Sequence, residues 1–195
     1  EAFDRQPAAE DSTPLRYERT GLSGLLGTPE VHEVLCYLQV LADPTRSDVL
    51  IRILAGDKYR IGPKDLYALG SRAAQLGRQF SDGDELEEQR TLLDAIADLI
   101  RNHRPGQQTS RGSAESHGIS DQAVGRLTEL WDTFSTLRPW STQGLTVLVE
   151  RVIDQIGLKA EVEAKLGGAS TASHQLSAFV EEAESFELSS PQGTL

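Results

Sequence analysis

The residues best suited to chemistry in this chain lie between Lys58 and Lys64, in the run KYRIGPKDL. A short turn at Ile61-Gly62 leads straight into Pro63, a residue pre-shaped for the first position of a helix. The first N–H groups of any helix lack partners inside it, and the helix dipole adds partial positive charge there. Gly62 lets a ligand approach the main chain, and Lys58, Arg60 and Lys64 surround it with cationic side chains. Such a place suits a phosphate group. On a nucleic acid it would hold the backbone and read no bases. Arg72, further along the same helix, is a further candidate phosphate partner. The competing reading is that Gly62-Pro63 simply opens a helix and the basic side chains are solvated. The local sequence leaves both open.

Other reactive residue types give no constellation. The four histidines, His32, His103, His117 and His174, are far apart and form no His-x-x-x-His pair of the kind that holds zinc. His32, beside Glu33, is expected to face solvent. Adjacent carboxylates such as Glu87 with Glu88 and Glu181 with Glu182 point away from each other on a helix, so they read as solvated faces. Cys36 is the single cysteine and sits in an apolar helical pattern, which predicts a buried, inert thiol. A lone cysteine also excludes an internal disulfide and a cysteine-based zinc site, and it fits a reducing compartment. No Gly-rich loop ending in Gly-Lys-Ser/Thr occurs, and no strand precedes a G-x-G-x-x-G. No catalytic residue, metal site or cofactor site is therefore assigned to this chain.

The elements that must position the turn have a helical period almost throughout. Val31, Val34, Leu35, Leu38 and Leu41 recur at spacings of three and four, which predicts a helix of roughly 13 residues from Pro29 to just before Asp43-Pro44. Ser47 is a capping candidate for a second helix that carries Val49, Leu50, Ile53 and Leu54 and stops at Gly56. Pro63 opens a third, with Leu66, Leu69, Ala73 and Leu76 on one face. Further helices are expected over 84–103, from Ser120 to Leu137, from Thr142 to Gly157, over 158–166 and over 171–188. The run RPGQQTSRGSAESHG has almost nothing to bury, so a mobile loop is expected at about 104–119. Residues 1–13 are expected to be disordered, and 189–195 to form a polar tail. The single strand-like segment is LRYERT at 15–20, which has no sheet to join. The predicted class is all-α, an irregular domain of seven to eight helices with one short orphan strand near the N-terminus.

Composition narrows the function classes. With 195 residues and 38% apolar side chains the chain can build one ordinary core, which excludes wholesale disorder. No apolar run approaches the roughly 18 residues needed to span a bilayer, so no membrane partner and a cytoplasmic location are expected. A chain that begins at Glu1 and contains no methionine is expected to be a segment of a longer polypeptide. The net charge of −11 argues against nucleic acid in bulk. It is unevenly spread, however. From Arg46 to Arg78 seven cationic residues face Asp48, Asp57 and Asp65, a net of +4, which leaves −15 for the remainder.

The run GLSGLLGTPEVHEVLCYLQVLADPTRSDVLIRILAGDKYRIG resembles the start of the 2B subdomain of superfamily I DNA helicases of the UvrD, PcrA, Rep and RecB kind, most closely the actinobacterial type. The matching features run from Gly21 to Leu26, through Glu30-Val31, Tyr37-Leu38, Asp43-Pro44 and Arg52, to Arg60-Ile61-Gly62. The later helices LTELWDTFSTLR, LTVLVERVIDQIGLKAEV and HQLSAFVEEAESFE extend the resemblance over about residues 14–188. It implies a helical subdomain inserted in a motor domain, with LRYERT as the strand that precedes the insertion. ATP and Mg2+ would then bind the motor domains of the parent chain, an ATP-dependent 3′-to-5′ DNA helicase and ATP hydrolase of DNA unwinding, repair or recombination. The subdomain itself would contact the duplex DNA backbone through the Gly-Ile-Gly turn, assigned to Lys58, Arg60, Ile61, Gly62, Lys64 and Arg72. Arg60 stands where the family has the first glycine. The alternative is a protein-interaction or autoinhibitory module that packs on its own motor or a partner subunit. The acidic runs DGDELEE and EEAESFE favour that reading.

Overall fold

The computed structural model describes residues 22–80, 91–102, 118–166 and 171–189. Among these the fold is all-α, as the helical period predicts. The strand expected at 15–20 and the disorder expected over 1–13 lie outside the described residues, as do the acidic start of the helix expected over 84–103 and all of the tail expected over 189–195 but Ser189, which ends the last helix.

Nine α-helices occur among the described residues: α1 (Leu22–Leu26), α2 (Pro29–Ala42), α3 (Ser47–Ala55), α4 (Pro63–Phe80), α5 (Leu92–Asn102), α6 (Asp121–Leu137), α7 (Leu145–Ile156), α8 (Leu158–Leu166) and α9 (Thr171–Ser189). The element beyond the seven to eight expected is α1, five residues long, where the sequence offers only a Gly-rich apolar lead-in. Of the loop expected at 104–119, residues 104–117 lie outside the described set. Its last residue is a correction: Ile119 is only 3% exposed and belongs to the core. Gly118, with φ 71°, makes the left-handed step that turns Ile119 inward, a step glycine takes without a steric penalty.

Local chemistry sets the boundaries. Asp43 ends α2 in an extended conformation, and its carboxylate accepts hydrogen bonds from Thr45 N–H at 2.9 Å and Thr45 Oγ1 at 2.6 Å. These bonds close the turn into α3 and hold the Asp43 carboxyl below its usual pKa. Ser47, expected as the cap of α3, is instead its first helical residue, and Arg46 occupies the cap position without a side-chain cap bond. Ser120 does cap α6, accepting from Ala123 N–H at 3.2 Å. Gly157, with φ 77°, ends α7 in the left-handed conformation expected of a C-terminal glycine.

The core is one contiguous cluster to which every helix from α2 to α9 contributes. Buried residues of α2 lie nearly all round it, from Val31 and Val34 to Cys36, Tyr37 and Val40, and it packs against α1, α3, α7 and α9. A stripe alone would suffice for a surface helix, so α2 is the central one. Cys36 is buried as expected, and burial pushes its thiol pKa up. His32, one helical turn before it, is half-buried rather than solvent-facing, with Nδ1 3.6 Å from Cys36 Sγ.

One cap reaches across the fold. Glu187, near the end of α9, accepts from Thr146 N–H at 3.2 Å and Thr146 Oγ1 at 2.7 Å, serving the first turn of α7. A side chain at Gly144 would meet this carboxylate, so the glycine makes room for it. The bonds hold the Glu187 carboxyl below its ordinary 4.5. A lowered folded-state pKa means stability that is present above the unfolded-state value and lost as pH falls through the folded-state value. Wild type is thus expected to melt above Glu187→Gln at neutral pH, with the gap closing in acid below about 4.5. Melting temperatures of both proteins from pH 7 to pH 3 measure it, and a gap as wide at pH 3 as at pH 7 contradicts it.

Candidate phosphate-binding turn

The segment between α3 and α4 alternates outward and inward residues. Lys58 and Arg60 are exposed, while Tyr59 and Ile61 are buried. Tyr59 has no exposed surface. Its hydroxyl accepts from Tyr37 Oη at 3.4 Å, a polar pair inside an apolar core. Tyr37 in turn stacks on Phe134 with ring centroids 5.5 Å apart. Burial pushes the pKa of both tyrosines up, so both stay neutral and able to donate. Ile61 fixes the other end of the turn: its N–H donates to the Leu54 carbonyl at 2.9 Å.

Between these two anchors Arg60 takes φ 47°, the only positive φ of a non-glycine residue among the described ones. Its N–H donates to Gly56 O at 2.9 Å, and its own Nε donates to Asp57 O at 2.9 Å. Arg126 of α6 donates from Nη1 to the Arg60 carbonyl at 2.9 Å. The left-handed conformation strains a residue that carries a Cβ, and these bonds on both sides of Arg60 maintain it. The position where the resembled family has glycine is therefore one that demands a glycine-like backbone.

Gly62 needs no positive φ. A Cβ placed on it would meet nothing within 4 Å, so the surface beside it is open. Its carbonyl accepts from Leu66 N–H at 3.0 Å and so begins the ladder of α4. Pro63 has no N–H, and the N–H groups of Gly62, Lys64 and Asp65 have no hydrogen-bond partner among the described residues. These three donors, with the dipole of an 18-residue helix behind them, can hold an anion. The Asp65 carboxylate does not cap its own helix. It turns to α6 and accepts from Ser120 N–H at 2.8 Å and Ser120 Oγ at 3.1 Å.

Of the six sequence-predicted residues, the structure places Arg60, Ile61, Gly62 and Lys64 at this turn. Arg60 and Lys64 are exposed, and Ile61 is a buried anchor rather than a contact surface. Lys58 sits at the edge: Nζ donates to the Ile156 carbonyl at the C-terminal end of α7, at 3.2 Å, which leaves two of its three donors. Arg72 is held elsewhere. Its Nε and Nη2 both bond Asp98 Oδ2, at 2.9 and 2.7 Å, and only 15% of its side chain is exposed. It ties α4 to α5 and is spent there. Sequence reasoning missed Arg126 and Tyr59. Arg126 carries no local signal, because its partner is 66 residues away. Tyr59 was legible only as the one aromatic residue inside a basic turn.

Among the described residues no group of three or more His, Cys, Asp or Glu side chains is placed to hold a metal ion. None of their helices is long and apolar enough to cross a membrane. Comparison with protein families matches no family model, and comparison with curated proteins finds no match, so the turn's geometry has to carry the functional reading.

Proposed function

We propose that this chain is an accessory DNA-holding module of the 2B type, belonging to an ATP-dependent 3′-to-5′ DNA helicase whose motor domains bind ATP and Mg2+. Its turn grips one phosphate of a duplex backbone with the N–H groups of Gly62, Lys64 and Asp65, and Arg60 and Lys64 supply charge. The observation that carries this reading is the left-handed Arg60, which holds the turn shape at the place where the resembled family has glycine. The direct packing of α1 on α9 also suits an inserted subdomain, since the first and last described helices are neighbours.

The expected behaviour is weak binding to duplex DNA without sequence preference, falling steeply with salt. A low-salt titration of wild type against Arg60→Glu combined with Lys64→Glu tests it: the double variant is expected to lose at least tenfold in affinity. Equal binding by the two proteins sinks the site. Arg60→Gly provides a second arm. It relieves the left-handed strain, stabilising the fold by about 0.5–1 kcal/mol, and it keeps the backbone donors while removing one charge, so it binds better than the double variant.

The interaction-module reading has one observation of its own. Phe186 and Leu188 are exposed on α9, beside the exposed carboxylates of Glu181, Glu182 and Glu184. Under that reading wild type and the double variant both fail to bind DNA at low salt.

A further inference from the structure

The outer face of α4 differs from the rest of this acidic chain. Lys64, Tyr67, Ala74, Gln75 and Arg78 are exposed along it, with Ser71 half-buried between them. At 100° per residue these six positions fall within about one quarter to one third of the helix circumference, a single stripe. The stripe bears two cations and no carboxylate, on a chain with 30 Asp and Glu residues. Asp65 is the only acid in α4; it lies on another side of the helix and is bonded to Ser120. Tyr67 is 80% exposed and has no partner among the described residues. It stands one turn beyond Lys64, whose donors help form the phosphate site.

Exposure of a tyrosine ring to this degree forfeits most of its apolar burial, and nothing among the described residues compensates. A protein-docking seam would need further apolar residues next to it. The neighbours of Tyr67 are instead small, polar or cationic. An aromatic face one turn from a cation, on a stripe without carboxylates and with small residues that let a chain come close, suits the stacking of unpaired bases. From Lys64 to Arg78 the stripe runs about 21 Å at 1.5 Å per residue, room for about six stacked nucleotides at 3.4 Å each.

We infer that the outer face of α4 is a track for single-stranded nucleic acid leaving the duplex held at the turn, with Tyr67 stacking on its first unpaired base. The inference rests on the proposed duplex contact and deepens it: the preferred ligand becomes a junction between paired and unpaired DNA. Lys64 then serves the last duplex phosphate, and Arg78 a phosphate near the far end of the strand.

The test uses the full chain and two DNA ligands with equal numbers of phosphates. One is a blunt duplex. The other is a shorter duplex with a single-stranded arm that carries 2-aminopurine at its first unpaired position. Wild type is expected to bind the armed ligand about tenfold tighter and to change the 2-aminopurine emission, Tyr67→Phe to behave like wild type, and Tyr67→Ala to lose both the preference and the emission change. Because the ring is exposed, circular dichroism of Tyr67→Ala should match wild type. If duplex binding depends on Arg60 and Lys64 but Tyr67→Ala keeps the preference, or wild type has none, the α4 track is overturned and the turn stands. If wild type binds neither ligand, both fall.

Discussion

Tyr59→Ala is expected to destabilise the fold by about 3–5 kcal/mol, the cost of deleting a large, fully buried ring. Tyr59 has no exposed surface, and its hydroxyl is the acceptor for Tyr37, so truncation opens a cavity and also orphans a buried donor. Because domains of this size are typically stable by about 5–15 kcal/mol, such a loss brings the protein close to its unfolding threshold. The same ring is the inner anchor of the turn, so in Tyr59→Ala the bonds on either side of Arg60 lose their rigid support. Tyr59→Phe separates the two effects: it keeps the ring, costs about 1–2 kcal/mol for the unpaired Tyr37 hydroxyl, and under the proposed function is expected to bind DNA as wild type does. Chemical denaturation of both variants gives the stabilities. A Tyr59→Ala midpoint within error of wild type would mean that the turn is not anchored through this residue.

Arg72→Gln is expected to cost about 1–2 kcal/mol in stability, less than the full penalty of breaking a buried ion pair because both side chains keep some contact with water. Arg72 is 15% and Asp98 22% exposed, and the two bonds at 2.7 and 2.9 Å join α4 to α5. Duplex affinity at low salt, by contrast, should stay within about twofold of wild type, because a guanidinium already held by a carboxylate adds little to a phosphate site. Removing either partner strands the other, so Asp98→Asn should destabilise by a similar amount. Denaturation and DNA titration on the same samples decide the matter. A tenfold loss of affinity in Arg72→Gln with unchanged stability would return Arg72 to the binding surface.

These two residues mark how far the sequence could be read. In sequence Arg72 read as one more candidate phosphate partner, and Tyr59 drew no reading at all. Their actual roles depend on Asp98 and Tyr37, partners at sequence distances over which a local pattern carries no information. Helix placement, by contrast, was largely legible, although the helix expected over 84–103 starts only at Leu92, where Thr91 caps it by accepting from Asp94 N–H at 3.1 Å. Pro29 and Pro63 open helices, Gly56 and Gly157 close them, and Val31, Val34 and Leu38 or Leu69, Ala73 and Leu76 face inward as their spacing requires. The reason is that capping, proline geometry and a 3.6-residue period are properties of the chain within one or two turns.

Ile119 shows the limit from the other side. In sequence it ends a run of Pro, Gly, Ser and Gln, and composition assigned it to the loop. The fold buries it because Gly118 turns the chain and the start of α6 is held to α4 by Ser120 and Asp65. Arg60 is a similar case. Its type suggested extra charge for a phosphate, but its backbone conformation, set by Arg126 and the two buried anchors, decides whether the turn has a shape that phosphate can use.

By itself the sequence determined the helical class, most helix boundaries and the position of the basic turn in an acidic chain, because periodicity, caps and charge are local or additive quantities. Only the tertiary structure decided which cations are free. Lys64 and Arg60 remain exposed, Lys58 is partly engaged by the end of α7, and Arg72 is consumed by Asp98. Whether a charge is available depends on what the fold brings within hydrogen-bonding distance of it, and that is settled by packing between elements far apart in the chain.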